Sequence, residues 1–376
     1  MTEGTAKKRK SGVGRGESLS KGELLFCVMS VISLVLSFLF ADTAIKAMEN
    51  GMRLCVGVVI PSLFFFSVLS DMLVSSGGAS LLARPLRAVC KKLFGIGGRA
   101  SEAILLGAIC GFPIGTRCAL SLYSRGELSR SETEHLLCFC NGPSTAFLIN
   151  AVGISLFSSR RFGLLLCAAQ MLSAVAVGVC MRVYFRNGNS VEMPDFVPPV
   201  SEARPKRRMT ERAVRAVTDA AESMLVICSF VIFFSALTGV VRALLEKAGL
   251  GERASVLLLG IFEMTGGVSG AALLPLPLSA VFVAALVGWS GFSVHFQMIA
   301  LCKDKELSFA PYFFAKLLGS VFCAFFVALG LYIFRDFLAL SPPSASSFAL
   351  SPEIYPQHLL SIAVLAIGAL RMKKRD

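Results

Sequence analysis

Residues 105–147 read LLGAICGFPIGTRCALSLYSRGELSRSETEHLLCFCNGPSTAF, and this stretch decides the fold. Its two apolar parts have the length and hydropathy of membrane segments, but each is broken. Gly111, Pro113 and Gly115, with Gly107 upstream, interrupt the first. Asn141-Gly142-Pro143-Ser144 interrupts the second. A break frees backbone N–H and C=O groups, and lipid offers them no partner. Such backbone is tolerated at membrane depth only inside protein or along a watery cavity. Broken helices of this kind build substrate sites in secondary transporters.

The surrounding composition fixes the class. Hydrophobic residues make up 55% of 376 and charged residues 16%, against about 25% charged in soluble domains. Mean hydropathy is +0.71. Several apolar runs approach the roughly 20 residues that cross a bilayer. The formal charge of +13 sits just outside these runs, where it orients a membrane protein, so nucleic acid is not expected as a partner. The twelve cysteines fall mostly within apolar segments, without a CxxC or His-rich company. They are expected to pack as small hydrophobes, with no metal and no cofactor.

A second copy of the broken pattern lies downstream. Gly291-Phe-Ser-Val-His-Phe296 matches Gly142-Pro-Ser-Thr-Ala-Phe147 at Gly, Ser and Phe. Leu259-Gly260 followed by Gly266-Gly267 echoes Leu106-Gly107 followed by Gly111 and Gly115. SFVIFFSAL (229–237) matches PSLFFFSVL (61–69), sharing Phe65/Phe233, Phe66/Phe234, Ser67/Ser235 and Leu69/Leu237. Matched blocks in one order mark an internal repeat.

The expected architecture is an all-α polytopic membrane protein: about eight transmembrane helices plus two re-entrant hairpins in an inverted repeat. Residues 1–23, with Lys7-Lys8-Arg9-Lys10, form a disordered basic cytoplasmic arm. Residues 24–50 hold the first span and the start of an outer turn, 42–52. Residues 51–185 form the first repeat, in which Pro61 kinks a span and 76–100 is an amphipathic surface segment. A Pro- and Arg-rich cytoplasmic linker, 186–216, leads to the second repeat, 217–335. An outer loop and a short C-terminal helix, 336–376, close the chain. Charge counting has the two repeats entering the membrane from opposite sides.

Several residues could carry chemistry. Glu263, in a broken segment, could bind a cation or carry a proton, because intramembrane carboxylates are costly; it could equally cap a half-helix or pair with a base. Arg117 and Lys316 could face an anionic substrate; Arg117 could instead be a topology flank, and Lys316 could snorkel. His295 is a packing residue or a proton relay. Glu132 and Glu134 are expected on the cytoplasmic face, in water. Asn141, Ser144, Ser290 and Ser293 flank the breaks. Their side chains can satisfy freed backbone or, with half-helix N-termini, hold a carboxylate or phosphate. No polar stretch is long enough for a soluble catalytic domain, so no enzyme is expected. The partners implied are a small-molecule substrate and membrane lipid, with homo-oligomerisation left open.

Gly111-Phe-Pro-Ile-Gly115, Arg125-Gly-Glu-Leu128, Cys140-Asn-Gly-Pro143, Gly260-Ile-Phe-Glu-Met-Thr-Gly266 and Gly288-Trp-Ser-Gly-Phe-Ser-Val-His295 together resemble the sporulation integral membrane protein family of the YlbJ/SpoVV type. The halves resemble the nucleoside-recognition gate domain. The resemblance covers about residues 50–335. It implies an endospore-forming bacterium, a cell-membrane or forespore-surrounding location, and transport of dipicolinate, a pyridine dicarboxylate. A nucleoside or nucleobase carrier and a non-transporting membrane scaffold in spore assembly are the alternatives.

Overall fold

The computed structural model describes residues 21–186, 209–303 and 305–334. Nearly all of the basic arm, most of the linker, and the outer loop with its C-terminal helix lie outside the described residues. Among those described, the regular elements are helices.

Helix α1, Lys21–Leu39, is apolar on all sides, and none of its apolar window is buried by the rest of the chain. Lipid is the environment that suits such a surface. The outer turn expected at 42–52 is a helix instead. Ala41–Leu54 (α2), a π-turn at Cys55–Val59 and Ile60–Ser76 (α3) follow one another with helical dihedrals at each junction. The wide turn directly precedes Pro61, whose ring cannot follow a regular α-turn and whose nitrogen cannot donate. The sequence reading missed α2 because its polar residues suggested a loop. Tertiary packing supports it: a Cβ on Gly51 would lie 2.8 Å from Ser235 Oγ, and one on Gly239 would lie 2.5 Å from Ala47 Cβ. Both contacts are with α10, Met209–Lys247. Small residues let membrane helices approach this closely.

Short helices α4 (Gly78–Leu82) and α5 (Leu86–Val89) and a π-turn at Cys90–Phe94 follow. Cys90 and Phe94 are buried while Lys91 and Lys92 are exposed, as an amphipathic segment requires.

One succession then occurs twice. First come α6 (Ser101–Cys110) and α7 (Ile114–Ser124). A Cβ on Gly107 would sit 3.3 Å from the Gly115 Cα, whereas eight residues of straight helix would separate them by about 12 Å. The chain therefore doubles back. Then α8 (Arg130–Leu137), an unwound stretch and a π-helix (Phe147–Leu156) form a broken helix, and α9 (Arg160–Arg186) runs unbroken. In the second round α11 (Glu252–Phe262) and α12 (Met264–Ala271) double back. Gly267 lies against Gly260, where a Cβ would be 2.1 Å from the Gly260 Cα. Then α13 (Leu278–Trp289) and α14 (Gly291–Leu301) form a broken helix, and α15 (Ala310–Ile333) runs unbroken.

Among the described residues five helices are long and apolar enough to cross a bilayer, or six if the bent pair Leu86–Phe94 and Gly98–Cys110 counts as one. The expected eight is thus not reached. The run 53–74 is divided by the π-turn, the run 133–157 is split at its Asn-Gly-Pro-Ser break, and 359–370 lies outside the described residues. The two repeats meet through small residues. Ser173 on α9 donates to the Gly319 carbonyl at 2.9 Å, and a Cβ on Gly288 would lie 2.4 Å from that same oxygen.

The expected burial of the cysteines holds for most of them. All twelve are free and eight are buried, with Cys27 and Cys180 exposed.

Candidate functional site

Unwinding at 138–144 releases backbone groups that must be answered. Phe112 N–H, in the turn between α6 and α7, donates to the Gly142 carbonyl at 2.8 Å. The first break thus satisfies the hairpin turn, and the turn satisfies the break. Thr145 Oγ1 donates to the Ala108 carbonyl near the end of α6 at 3.0 Å. Asn141 is 1% exposed. Its amide donates to the Leu137 carbonyl at 2.8 Å, and its side-chain oxygen accepts from Thr116 Oγ1.

Glycine is required where these pieces touch. A Cβ on Gly107 or Gly115 would fall 2.1 or 2.2 Å from the Cys140 carbonyl oxygen. Gly111, at φ +74°, would press its Cβ to 2.4 Å from Ser144 N. The second break copies this logic. Ser290 and Gly291 both take positive φ, and Gly291 lies against the α11–α12 turn, where a Cβ would be 2.9 Å from Met264 N. Trp289 Nε1 donates across the same junction to the Ile261 carbonyl at 2.9 Å.

One side chain joins the two breaks. Lys316, in the second turn of α15 and 4% exposed, donates from Nζ to the Asn141 carbonyl of the first break. The same Nζ lies 3.4 Å from Ser290 Oγ of the second. No described carboxylate forms an ion pair with it. One turn earlier on α15, the Tyr312 hydroxyl is 2.9 Å from His295 Nδ1. The His295 ring stands edge-on to Trp289 with centroids 4.5 Å apart, and its Nε2 is buried without a hydrogen-bond partner.

Of the residues singled out in the sequence, Asn141, Ser290 and Lys316 come together, with His295 close by through Tyr312. Ser293 instead accepts from Gln297 at 3.1 Å, and Ser144 caps the π-helix by accepting from Phe147 N–H at 3.2 Å. Glu263 caps its own half-helix. Its carboxylate accepts from Thr265 N–H at 2.8 Å and Gly266 N–H at 2.6 Å, which favours an anion at a helix start.

Arg117 belongs to a different place. It pairs with Asp71 on α3, and its Nη1 is buried without a partner. It lines a cavity of about 700 Å³ between α3, α7, α10 and α14. Arg125, Arg212, Arg215 and Lys305 also line it, facing the carboxylates of Asp71, Asp219 and Glu222. Five cations against three anions leave the walls formally positive.

No family model matches the chain, and no solved structure matches it. The chain is 28% identical over 337 residues to the sporulation integral membrane protein YlbJ of Bacillus subtilis (strain 168), covering 81% of this chain and 80% of that protein. The chain thus resembles that sporulation membrane protein along most of the length of both. It is a multi-pass membrane protein, as its apolar helices require.

Three parts of the site escaped the sequence reading. Asp71 sits alone among the apolar residues of α3, and an acid in such a run is itself a signal. Thr116 and Tyr312 carried no signal, because hydroxyls on apolar helices commonly bond their own backbone. Glu132 and Glu134 are not simply solvated. Glu132 completes a capping box with Ser129 and accepts from Gly97 N–H at 2.6 Å. Glu134 accepts from Ser308 N–H of the other repeat at 2.8 Å.

Proposed function

We propose that this chain is a secondary carrier of a small dianionic aromatic acid, dipicolinate, during endospore formation. The observation that carries the reading is the cavity: about 700 Å³, within the roughly 300–1,000 Å³ of small-molecule sites. Its walls bear more positive than negative charge, and Arg117 offers it an N–H without a partner. A guanidinium recognises a carboxylate through paired N–H donors. The kinship with a sporulation membrane protein supplies the setting. The repeated broken helices supply the kind of architecture in which carriers place their sites.

In this reading the two repeats move against each other while each break keeps the hydrogen bonds to its own hairpin. The substrate enters the cavity with one carboxylate on Arg117. The test is uptake of radiolabelled pyridine-2,6-dicarboxylate into proteoliposomes holding the purified chain. Saturable uptake that falls at least tenfold in Arg117→Gln is expected. Uptake of uridine that dipicolinate does not compete would replace this cargo with a neutral nucleoside. A deletion strain whose spores hold normal dipicolinate would overturn the physiological assignment.

A further inference from the structure

Arg117 is divided between two demands. Its Nη2 holds Asp71 of α3, while Nη1 of the same guanidinium is buried without an acceptor. The other guanidinium groups of the cavity wall are answered from within the chain. Arg125 has Glu127 at 3.7 Å and Ser121 Oγ at 3.0 Å. Arg215 has Asp219 at 3.5 Å, and Arg212 donates to the Ser75 carbonyl at 3.0 Å. The wall therefore lacks an acceptor at Arg117, and an arriving carboxylate supplies one. Resting on the carrier reading, we propose that Asp71 is the coupling carboxylate of this cavity: ionised against Arg117 while the cavity is empty, and protonated when a substrate carboxylate takes a place on the same guanidinium.

The argument is one of charge. A lone acid on an apolar helix is costly, and an adjacent cation is what keeps it ionised. A substrate carboxylate on Arg117 sets two anions beside one cation, and each disfavours the ionised form of the other. The ligand also displaces water from the cavity, so the repulsion is less screened. Facing Asp71 are Arg117 and Cys118 of α7 and, across the cavity, Arg212, Arg215, Asp219 and Glu222 of α10. Arg125 and Lys305 line the same cavity. From α6, Cys110 reaches Ser70, the neighbour of Asp71, at 3.6 Å, and α4 brings no ionisable group. The thiols are neutral in their ordinary state. Asp219 keeps Arg215 as its partner, whereas Asp71 has to share its cation with the ligand.

The exchange balances. Water in the cavity supplies the proton, and an O–H bond forms on Asp71 from an oxygen lone pair. The acid so formed has a donor to offer the substrate carboxylate beside it. When the substrate leaves, the O–H bond breaks, the electron pair returns to the oxygen, and the proton follows into water on the same side. Asp71 then closes on Arg117 again, and the empty cavity returns with that pair neutralised. One proton accompanies each substrate in the same direction. Glu263 is not needed for this step, because its carboxylate is committed to the α12 cap.

The test counts protons at binding. Pyridine-2,6-dicarboxylate is titrated calorimetrically into the purified full chain in HEPES and in Tris, whose ionisation enthalpies differ. The work is done between about pH 6 and 8, above the range where free carboxylates titrate. Wild type is expected to take up about one proton per ligand, and its Kd to rise at least tenfold from about pH 6 to 8, because proton uptake on binding weakens affinity as protons grow scarce. Asp71→Asn, which imitates the protonated acid, should bind without proton uptake, with a Kd flat in pH and no weaker than wild type at the alkaline end. A merely structural ion pair would leave the proton count unmoved. Binding to wild type without proton uptake would overturn the coupling role and leave the cargo standing, as would undiminished uptake in Asp71→Asn. Should the asparagine variant fail to fold, Asp219→Asn and Glu222→Gln decide: proton uptake kept in both supports Asp71, and its loss in either overturns the proposal. No binding of the dicarboxylate in any preparation would overturn the carrier reading and this proposal with it.

Discussion

Gly107→Ala probes the contact on which the first break rests. The added methyl carbon would lie 2.1 Å from the Cys140 carbonyl oxygen, where ordinary contact begins at 3.4 Å. One of the two backbones must retreat by roughly 1 Å, and neither is the free end of a side chain. Overpacking of this kind is destabilising by about 1–3 kcal/mol. Helix propensity pulls the other way, because alanine is favoured over glycine by about 1 kcal/mol in a helix interior. The net expectation is a loss of up to about 2 kcal/mol. Gly115→Ala meets the same oxygen at 2.2 Å. The double variant should lose less than the sum, since a carbonyl already displaced makes room for both methyls. Gly57→Ala, with nothing within 4 Å, is the control and should be neutral or slightly stabilising. The assay is thermal unfolding in detergent, followed by fluorescence of Trp289, the chain's single tryptophan. A melting temperature of Gly107→Ala at or above wild type, with Gly57→Ala behaving likewise, would refute the close packing of α6, α7 and the break.

Three further outcomes are expected. Glu263→Ala should lower stability by about 0.5–2 kcal/mol through loss of the α12 cap. Glu263→Gln, which keeps one acceptor oxygen, should lose less and leave the pH dependence of uptake intact; loss of that dependence would return the coupling role to this carboxylate. Tyr312→Phe removes the hydroxyl at His295 Nδ1 and should cost about 1 kcal/mol. In a His295→Leu background the same change should cost nothing measurable, as a double-mutant melting cycle would show. Arg117→Gln should destabilise by about 1–2 kcal/mol, below the roughly 3–5 of a fully buried pair, because the two side chains keep 14% and 24% of their exposure. Asp71→Asn combined with Arg117→Gln should melt nearer wild type than Arg117→Gln alone, and full additivity in the melting data would argue against the pair.

The breaks were legible because glycine, proline and asparagine announce them locally. Gly111, Pro113, Asn141, Gly142 and Gly291 each stand where the chain turns or unwinds. The matched blocks also located the two positions, Asn141 and Ser290, that one lysine later joins. What was not legible is which partner each group finds. The pairing of Lys316 with Asn141 spans 175 residues, and nothing near either residue encodes it. Glu263 read as a chemical group because carboxylates are costly in apolar segments, yet its partners are N–H groups two and three residues on. Helix α2 was missed because its polar residues looked like a loop, while its glycine and alanines were already shaped for α10. Composition reports what a segment is made of, and only packing decides what it meets.

Helix α10 spans 39 residues, a rod of about 58 Å at 1.5 Å per residue, while a bilayer's hydrocarbon core is about 30 Å thick. The rod reaches well beyond the hydrocarbon, and its first turns carry Arg212 and Arg215 into the wall of the cavity. Further along, Gly239 is locked against α2. A stiff rod pinned toward one end works as a lever. A tilt of about 10° around that pin would sweep the guanidinium end through roughly 7 Å, most of the width of a small aromatic acid, with no hydrogen bond inside the helix broken. Such a tilt would carry a displacement at α2 into the wall of the cavity.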